Sequence, residues 1–131
     1  MDLAFDLQRA STGHGYAALF EPMLVSSQQE RLAVAYFDRA GVVVDFEVSG
    51  GDHVGAVAFP IRHIVRVALC ADAVAVMIAH NHPSGKTEPS PLDREMTRRL
   101  AAALRPLDIR LLDHLIFAGK EVASFRALGL L

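Results

Sequence analysis

The feature that most constrains this chain is an uninterrupted apolar run, residues 73–79, with the sequence AVAVMIA. Such a run is typical of a β-strand covered on both faces, because a strand with one solvated face alternates apolar and polar residues. It ends abruptly in a polar segment, HNHPSG, at residues 80–85. A strand covered on both faces needs packing layers on each side of its sheet, and the sequence therefore predicts an α/β domain.

Segments on either side of this run predict a mixed sheet flanked by helices. Residues 32–37 and 42–48 are β-rich, and the four residues between them, DRAG, suit a hairpin turn. Residues 109–112 and 115–117 predict two further strands, and the last residues allow a short helix. Because strands and helices alternate, with hairpins at both ends, we expect one α/β domain with a mixed β-sheet.

Two helices are expected to pack on this sheet, and proline marks the start of each. The first begins near Pro60, and its apolar face consists of Ile61, Ile64, Val65 and Ala68. The second begins near Pro91, and its apolar stripe consists of Leu92, Met96, Leu100, Ala103 and Leu104.

We assign residues 30–131 to the folded domain and residues 1–29 to a poorly patterned N-terminal segment. The expected core contacts of that segment are Phe5, Leu7, Phe20, Met23 and Leu24. With 131 residues, of which 52% are hydrophobic, the chain can bury roughly two-thirds of its unfolded surface. It therefore needs no disulfide or metal ion in order to fold.

Cysteine content and charge exclude several classes of site. Cys70 is the sole cysteine, so an internal disulfide and every multi-cysteine zinc motif are excluded, and its apolar neighbours predict a buried thiol. The net charge of −2 and the pI near 6.3 give no electrostatic footprint for nucleic acid. The chain has neither a signal-peptide pattern nor an apolar run of about 18 residues, so we expect a cytoplasmic protein with no membrane partner.

The candidate site lies where the buried strand ends, a common place for sites in α/β proteins. His80 and His82 alternate along an extended chain, so both imidazoles can converge on one point. Asp93 follows three residues after Ser90 at a helix start. Two imidazoles and a carboxylate are the ligand set of a catalytic zinc site, in which the metal lowers the pKa of a bound water toward about 7.

Each part of this pattern also has a purely structural interpretation. Ser90 and Asp93, with Pro91 between them, form a good helix start without any catalysis, and a lone histidine at a strand end is usually a hydrogen-bonded structural group. The joint spacing favours a site, since it arises by chance in on the order of one in several thousand chains of this length. Both interpretations of the helix start can hold together.

The pattern His80-x-His82, seven residues, Ser90-x-x-Asp93 resembles the JAMM signature of zinc-dependent peptidases and isopeptidases. The fuller strings HNHPSG and PSPLD, at residues 80–85 and 89–93, resemble its RadC-like branch, as does DHLI at residues 113–116. The resemblance runs from about residue 30 to residue 119. It implies a mixed sheet flanked by helices, similar to the fold of cytidine deaminases.

The resemblance also implies roles for individual residues. His80, His82 and Asp93 become metal ligands, and Ser90 helps to stabilise the oxyanion of a tetrahedral intermediate. The family needs a glutamate near an early strand as a general base. Glu30 lies immediately before residues 32–37, whereas the alternative, Glu47, lies at the far end of the second strand.

His114 belongs to the matching segment at residues 113–116. It is expected either to orient the site through an outer hydrogen bond or to be a strand histidine bonded to backbone. The sequence does not decide between these two roles.

Two functions follow from the resemblance. The first is a zinc-dependent hydrolase that cleaves a peptide or isopeptide amide of a peptide or protein substrate. The alternative is a non-catalytic JAMM-like binding module that acts through protein or DNA partners in DNA repair. Residues 1–29 do not resemble the helix-hairpin-helix segment that RadC-like chains usually carry, which speaks against DNA association. Manganese, iron and cobalt stay open as metals, and self-association stays open as well.

Overall fold

The computed structural model describes residues 16–50 and 61–131. Within them the chain forms three α-helices, a short 3₁₀ turn at Arg105–Leu107, and one mixed five-stranded sheet. In chain order the helices and strands are α1 (Ala17–Leu24), β1 (Arg31–Phe37), β2 (Val43–Gly50), α2 (Ile61–Cys70), β3 (Ala75–Asn81), α3 (Pro91–Leu104), β4 (Arg110–Ala118) and β5 (Glu121–Ser124).

The sheet has the strand order β2-β1-β3-β4-β5, so the apolar run of the sequence forms its central strand. β3 pairs antiparallel with β1 and parallel with β4, while the β1–β2 and β4–β5 hairpins close the two ends. The parallel β3–β4 pair is joined through α3. This arrangement confirms the predicted α/β class with a mixed sheet.

Both faces of β3 are covered, as predicted, and every residue of the strand is buried. On one face, Met77 packs with α1, whose Phe20 and Leu24 are fully buried. On the other face, Ile78 packs with α2 and α3. Full burial of an aliphatic side chain stabilises the fold by about 1.5–3 kcal/mol, and side chains on both faces of β3 make this contribution. Two of the three metal-ligand candidates, His80 and His82, thus lie at the end of the buried central strand.

The C-terminal part of the chain differs from the prediction. The two strands expected at residues 109–112 and 115–117 are one continuous strand, β4, because Asp113 and His114 are buried inside it rather than forming a break. The short helix expected at the end is wrong as well. β5 and a series of turns take its place, with the Phe125 amide donating to the His114 carbonyl.

Two predictions of burial are wrong because the residues lie on the outer sides of their helices. Cys70 is exposed, since α2 presents Ile64 and Ala68 to the sheet and Cys70 is the last residue of the helix. Met23 is 46% exposed, whereas Phe20 and Leu24 of the same helix are buried as expected. The predictions for Phe5, Leu7 and Pro60 concern residues outside the described ranges. Among the described residues, no helix is long and apolar enough to cross a membrane.

The inward stripe of α3 differs from the apolar stripe expected from the sequence. Leu92 is 50% exposed, while Thr97, a polar residue, is buried together with Leu100 and Leu104. Counting back by helical spacing from Thr97 leads to Asp93 at the start of the same face. The first two turns of α3 therefore direct polar groups, not leucine, toward the end of β3.

Candidate metal centre

The two histidines that follow the apolar run lie side by side at the end of β3. Because alternate residues of an extended chain point the same way, His80 and His82 direct their rings to one place, with 2.8 Å between their Nε2 atoms. His80 is only 4% exposed, and His82 is slightly more open to solvent. The predicted convergence of the two imidazoles is present in the structure.

Asp93 reaches the same point from the start of α3. Ser90 caps this helix, its hydroxyl accepting from the Asp93 amide at 3.0 Å, while Asp93 Oδ2 accepts from the Ser90 amide at 2.8 Å. The same Oδ2 lies 3.2 Å from His82 Nε2 and 3.5 Å from His80 Nε2. The helix cap and the candidate ligand are thus one structure, and both interpretations of this segment hold.

The charge of Asp93 is favoured by its neighbours. Burial works to raise the pKa of its carboxyl, but the side-chain hydrogen bond from His80, the hydrogen bonds from Ser90 and the charge of His80 outweigh burial. The pKa of Asp93 therefore lies well below its ordinary value. A negative charge at the start of a helix is also favoured by the helix dipole.

These three side chains fit a divalent cation. Zinc–nitrogen and zinc–oxygen bonds of about 2.0–2.2 Å in tetrahedral geometry place ligand atoms about 3.3 Å apart. The separations of 2.8, 3.2 and 3.5 Å lie around that value. His82 Nδ1 donates to the Lys86 carbonyl at 2.8 Å, so neutral His82 has an unprotonated Nε2 at the site. Among the described residues, His80, His82 and Asp93 form the group of side chains able to hold a metal ion.

Glu30 and Ser90 line one cavity beside the candidate ligands. This cavity has a volume of about 390 Å³ and is lined by Glu30, His82, Ser90 and residues of the loop between the last two. Within the described part of the chain, no side chain pairs with the Glu30 carboxylate, and no group accepts the hydrogen of the Ser90 hydroxyl. A carboxylate and a hydroxyl donor therefore line the same cavity as His82, one of the three candidate ligands.

Glu47, the alternative to Glu30, lies elsewhere. It is paired with Val34 of β1 across the hairpin, and its carboxylate lies 2.7 Å from His63 Nε2 of α2. It does not line the cavity that holds Glu30. This contact with His63 explains the position of the Glu47 carboxylate, and a surface contact of this kind contributes little to stability.

Asn81, between the two histidines, is a contributor that the sequence reasoning did not single out. Its Oδ1 accepts from the Arg31 amide at 2.7 Å, and its amide nitrogen donates to the carbonyls of Gln29 at 2.9 Å and Ser27 at 3.3 Å. The side chain thus holds the segment that carries Glu30 against the end of β3. The sequence signal that could have identified Asn81 is its position between the two candidate ligands, His80 and His82.

His114 and Thr97 form a second layer behind His80. His114 Nε2 lies 2.6 Å from His80 Nδ1, and His114 Nδ1 lies 2.7 Å from Thr97 Oγ1. The ring of His114 stacks on Phe125 with its centroid 4.3 Å away. Burial, with added repulsion from His80, holds the pKa of His114 well below its ordinary value. Of the two roles left open for His114, the structure supports the first, because the His114 ring is hydrogen-bonded to His80.

A family model described as "RadC-like JAB domain" matches residues 11–130 of the chain. The chain is also similar to curated proteins named as UPF0758 proteins. One from Bordetella petrii is 42% identical over 113 residues, which are 86% of this chain and 50% of that protein. One from Vibrio vulnificus is 40% identical over 130 residues, which are 97% of this chain and 58% of that protein.

A shorter relative is UPF0758 protein YkfG of Escherichia coli. It is 37% identical over 108 residues, which are 82% of this chain and 68% of the relative. The chain thus spans about half the length of the Bordetella and Vibrio proteins and about two-thirds of the Escherichia coli protein.

Proposed function

The chain belongs to the RadC-like JAB domain family, as its motifs predicted, and we propose that it is a metal-dependent hydrolase that cleaves a peptide or isopeptide amide. The observation that carries this proposal is the convergence of three ligand atoms, from His80, His82 and Asp93, beside a cavity lined by a carboxylate and a hydroxyl. Capping alone explains the position of Asp93, but it does not explain why the imidazoles of His80 and His82 face it.

The metal is zinc in this proposal. Two imidazole nitrogens and one carboxylate oxygen match the three-ligand sets of catalytic zinc sites, which keep a fourth position for water or substrate. A divalent cation bound there supplies Lewis-acid chemistry, lowering the pKa of a water molecule and polarising the carbonyl of the scissile amide. The chain's own contribution is to hold the ligand atoms in place, through the Lys86 carbonyl behind His82 and the helix cap around Asp93.

Glu30 and Ser90 complete the proposed machinery. Glu30 takes a proton from the attacking water and returns it to the leaving nitrogen, a role supported by its place in the cavity and by its unpaired carboxylate among the described side chains. Ser90 donates its hydroxyl hydrogen to the oxyanion that develops on the carbonyl. Its oxygen accepts from the Asp93 amide, which orients the hydroxyl without using its hydrogen.

The substrate in this proposal is a peptide or protein segment that enters the cavity beside Glu30. A cytoplasmic location and the absence of a membrane partner remain predictions of the sequence, which also speaks against DNA association. Self-association is left open.

The experiment that tests this proposal begins with the metal content of the purified protein, measured by elemental mass spectrometry beside His82→Ala and Asp93→Ala. We expect about one zinc ion per chain, lost in both variants while circular dichroism shows that the fold survives. No metal in the wild type after zinc is supplied would overturn the proposal.

A peptidase screen of the zinc-loaded protein then separates the hydrolase from the binding module. Glu30→Gln keeps the shape of the side chain, so it should retain zinc and lose turnover. Equal behaviour of Glu30→Gln and the wild type, in activity and in partner capture, would favour the binding module.

A further inference from the structure

A buried chain of hydrogen bonds runs from the back of His80 through β4 to α3. His80 Nδ1 lies 2.6 Å from His114 Nε2, His114 Nδ1 lies 2.7 Å from Thr97 Oγ1, and the Thr97 hydroxyl donates to the Asp93 carbonyl at 2.7 Å. His114 and Thr97 are each only 1% exposed. Water therefore does not compete for these bonds, and each proton in the chain has a defined place.

The bond from Thr97 to Asp93, at the far end of this series of hydrogen bonds, sets the direction of the others. A carbonyl oxygen only accepts, so the single hydrogen of the Thr97 hydroxyl goes to the Asp93 carbonyl. The hydroxyl oxygen must then accept from His114 Nδ1. A neutral imidazole with its hydrogen on Nδ1 has a lone pair on Nε2, and that lone pair faces His80 Nδ1.

We propose that His114 and Thr97 are positioning residues that hold His80 in the one tautomer able to ligate a cation through Nε2. A hydrogen fixed on His80 Nδ1 leaves Nε2, the atom that faces His82 and Asp93, as the nitrogen whose hydrogen a cation can displace. The inference rests on the metal site of the proposed function and does not depend on hydrolysis. A histidine ligand usually donates the N–H of its second ring nitrogen to a carboxylate or a carbonyl. Here the acceptor for His80 is a neutral histidine, His114.

The proposal has a consequence for a residue that provides no ligand atom. Loss of the Thr97 hydroxyl removes the acceptor that keeps the His114 hydrogen on Nδ1, so that this hydrogen can move to Nε2 and be donated to His80 Nδ1. His80 would then carry its own hydrogen on Nε2, where it blocks the cation. Changes behind a ligating histidine typically weaken metal binding by about 10- to 100-fold, and we expect a loss in this range.

The test compares Thr97→Val with Thr97→Ser. Valine has nearly the shape of threonine but no hydroxyl, whereas serine keeps the hydroxyl. We expect Thr97→Val to weaken zinc binding by about 10-fold or more in chelator competition, and Thr97→Ser to bind as the wild type does. His114→Gln keeps an acceptor for His80, whereas His114→Phe keeps only the ring that stacks on Phe125. We therefore expect His114→Gln to bind zinc more tightly than His114→Phe.

The tautomers themselves are read from long-range ¹H–¹⁵N spectra of the imidazole rings in metal-free protein. Wild type and Thr97→Ser should show a hydrogen on Nδ1 of both His80 and His114, and Thr97→Val should lose this pattern. Thermal unfolding of each metal-free variant separates a general loss of stability from a change at the site.

The outcomes keep the two proposals apart. If the wild type binds no metal, the proposed function fails, and the ring spectra still decide the tautomers. If the wild type binds zinc, and Thr97→Val matches Thr97→Ser in affinity and in ring spectra, the positioning role is overturned while the metal site stands.

Discussion

Replacing Asn81 with alanine tests whether the segment that carries Glu30 is held by one side chain. Asn81 is 3% exposed and makes hydrogen bonds to Arg31, Gln29 and Ser27. A typical internal hydrogen bond contributes about 0.5–1.5 kcal/mol, and partners left buried and unpaired cost more. Three such bonds lead us to expect that Asn81→Ala lowers the free energy of unfolding by about 2–4 kcal/mol.

The same change should separate metal binding from turnover. The ligand atoms of His80 and His82 do not depend on the Asn81 side chain, so zinc affinity should stay near that of the wild type. Turnover should fall, because Glu30 loses the bonds that hold its segment against β3. The assays are urea unfolding of metal-free protein, zinc affinity by chelator competition, and kcat on a peptide found in the screen.

Asn81→Asp is the matched control. An aspartate keeps an acceptor for the Arg31 amide but cannot donate to the two carbonyls, and a buried carboxylate facing carbonyl oxygens is unfavourable. It should therefore not rescue Asn81→Ala. A loss of less than about 1 kcal/mol in Asn81→Ala would refute the reasoning, since it would mean that water satisfies the three partners.

Three further predictions concern the cap, a buried hydroxyl and a buried acid. Ser90→Ala removes both the helix cap and the proposed oxyanion donor, so the free energy of unfolding should fall by about 1 kcal/mol and kcat should fall as well. Ser90→Gly should restore most of the stability but not kcat. Tyr36→Phe should leave the unfolding free energy unchanged or raise it by about 1 kcal/mol in urea unfolding, because the buried Tyr36 hydroxyl has no hydrogen-bond partner among residues 16–50 and 61–131. Burial raises the pKa of Asp113 despite hydrogen bonds from Ser124 and the Arg126 and His114 amides. The folded state therefore keeps this proton longer than the unfolded state, and the stability of the wild type relative to Asp113→Asn should fall as pH rises above about 4. Urea unfolding at several pH values measures this relative stability. If the stability of the wild type relative to Asp113→Asn rises with pH, the raised pKa of Asp113 is contradicted.

The sequence predicted the parts of this molecule that local patterns determine. The apolar run of β3, the hairpin after β1 and the Ser90 cap each depend on neighbours in the chain, and each was found where expected. The candidate ligands could be proposed for the same reason, since alternation along a strand and the third position of a helix are local geometry.

What the sequence did not predict depends on partners far away in the chain. Asp113 and His114 read as a break between two strands because polar pairs usually mark turns. They are in fact buried within β4, where Ser124 and Arg126 bond to the first, and His80 and Thr97 to the second. Likewise, Leu92 was expected to face the sheet, but the polar residues of α3 take that face. No local pattern contains those partners.

The alternation of β3 gives the site a property that loops alone could not provide. His80 and His82 point to the candidate metal position, while Asn81, between them, holds the segment that carries Glu30. One strand, paired on both sides and buried on both faces, thus sets the distance between the cation and the base. Any shift of β3 by one residue would exchange these two roles, since a strand has a period of two. The register of β3 against β1 and β4 is therefore as much a requirement of the proposed chemistry as the ligands themselves.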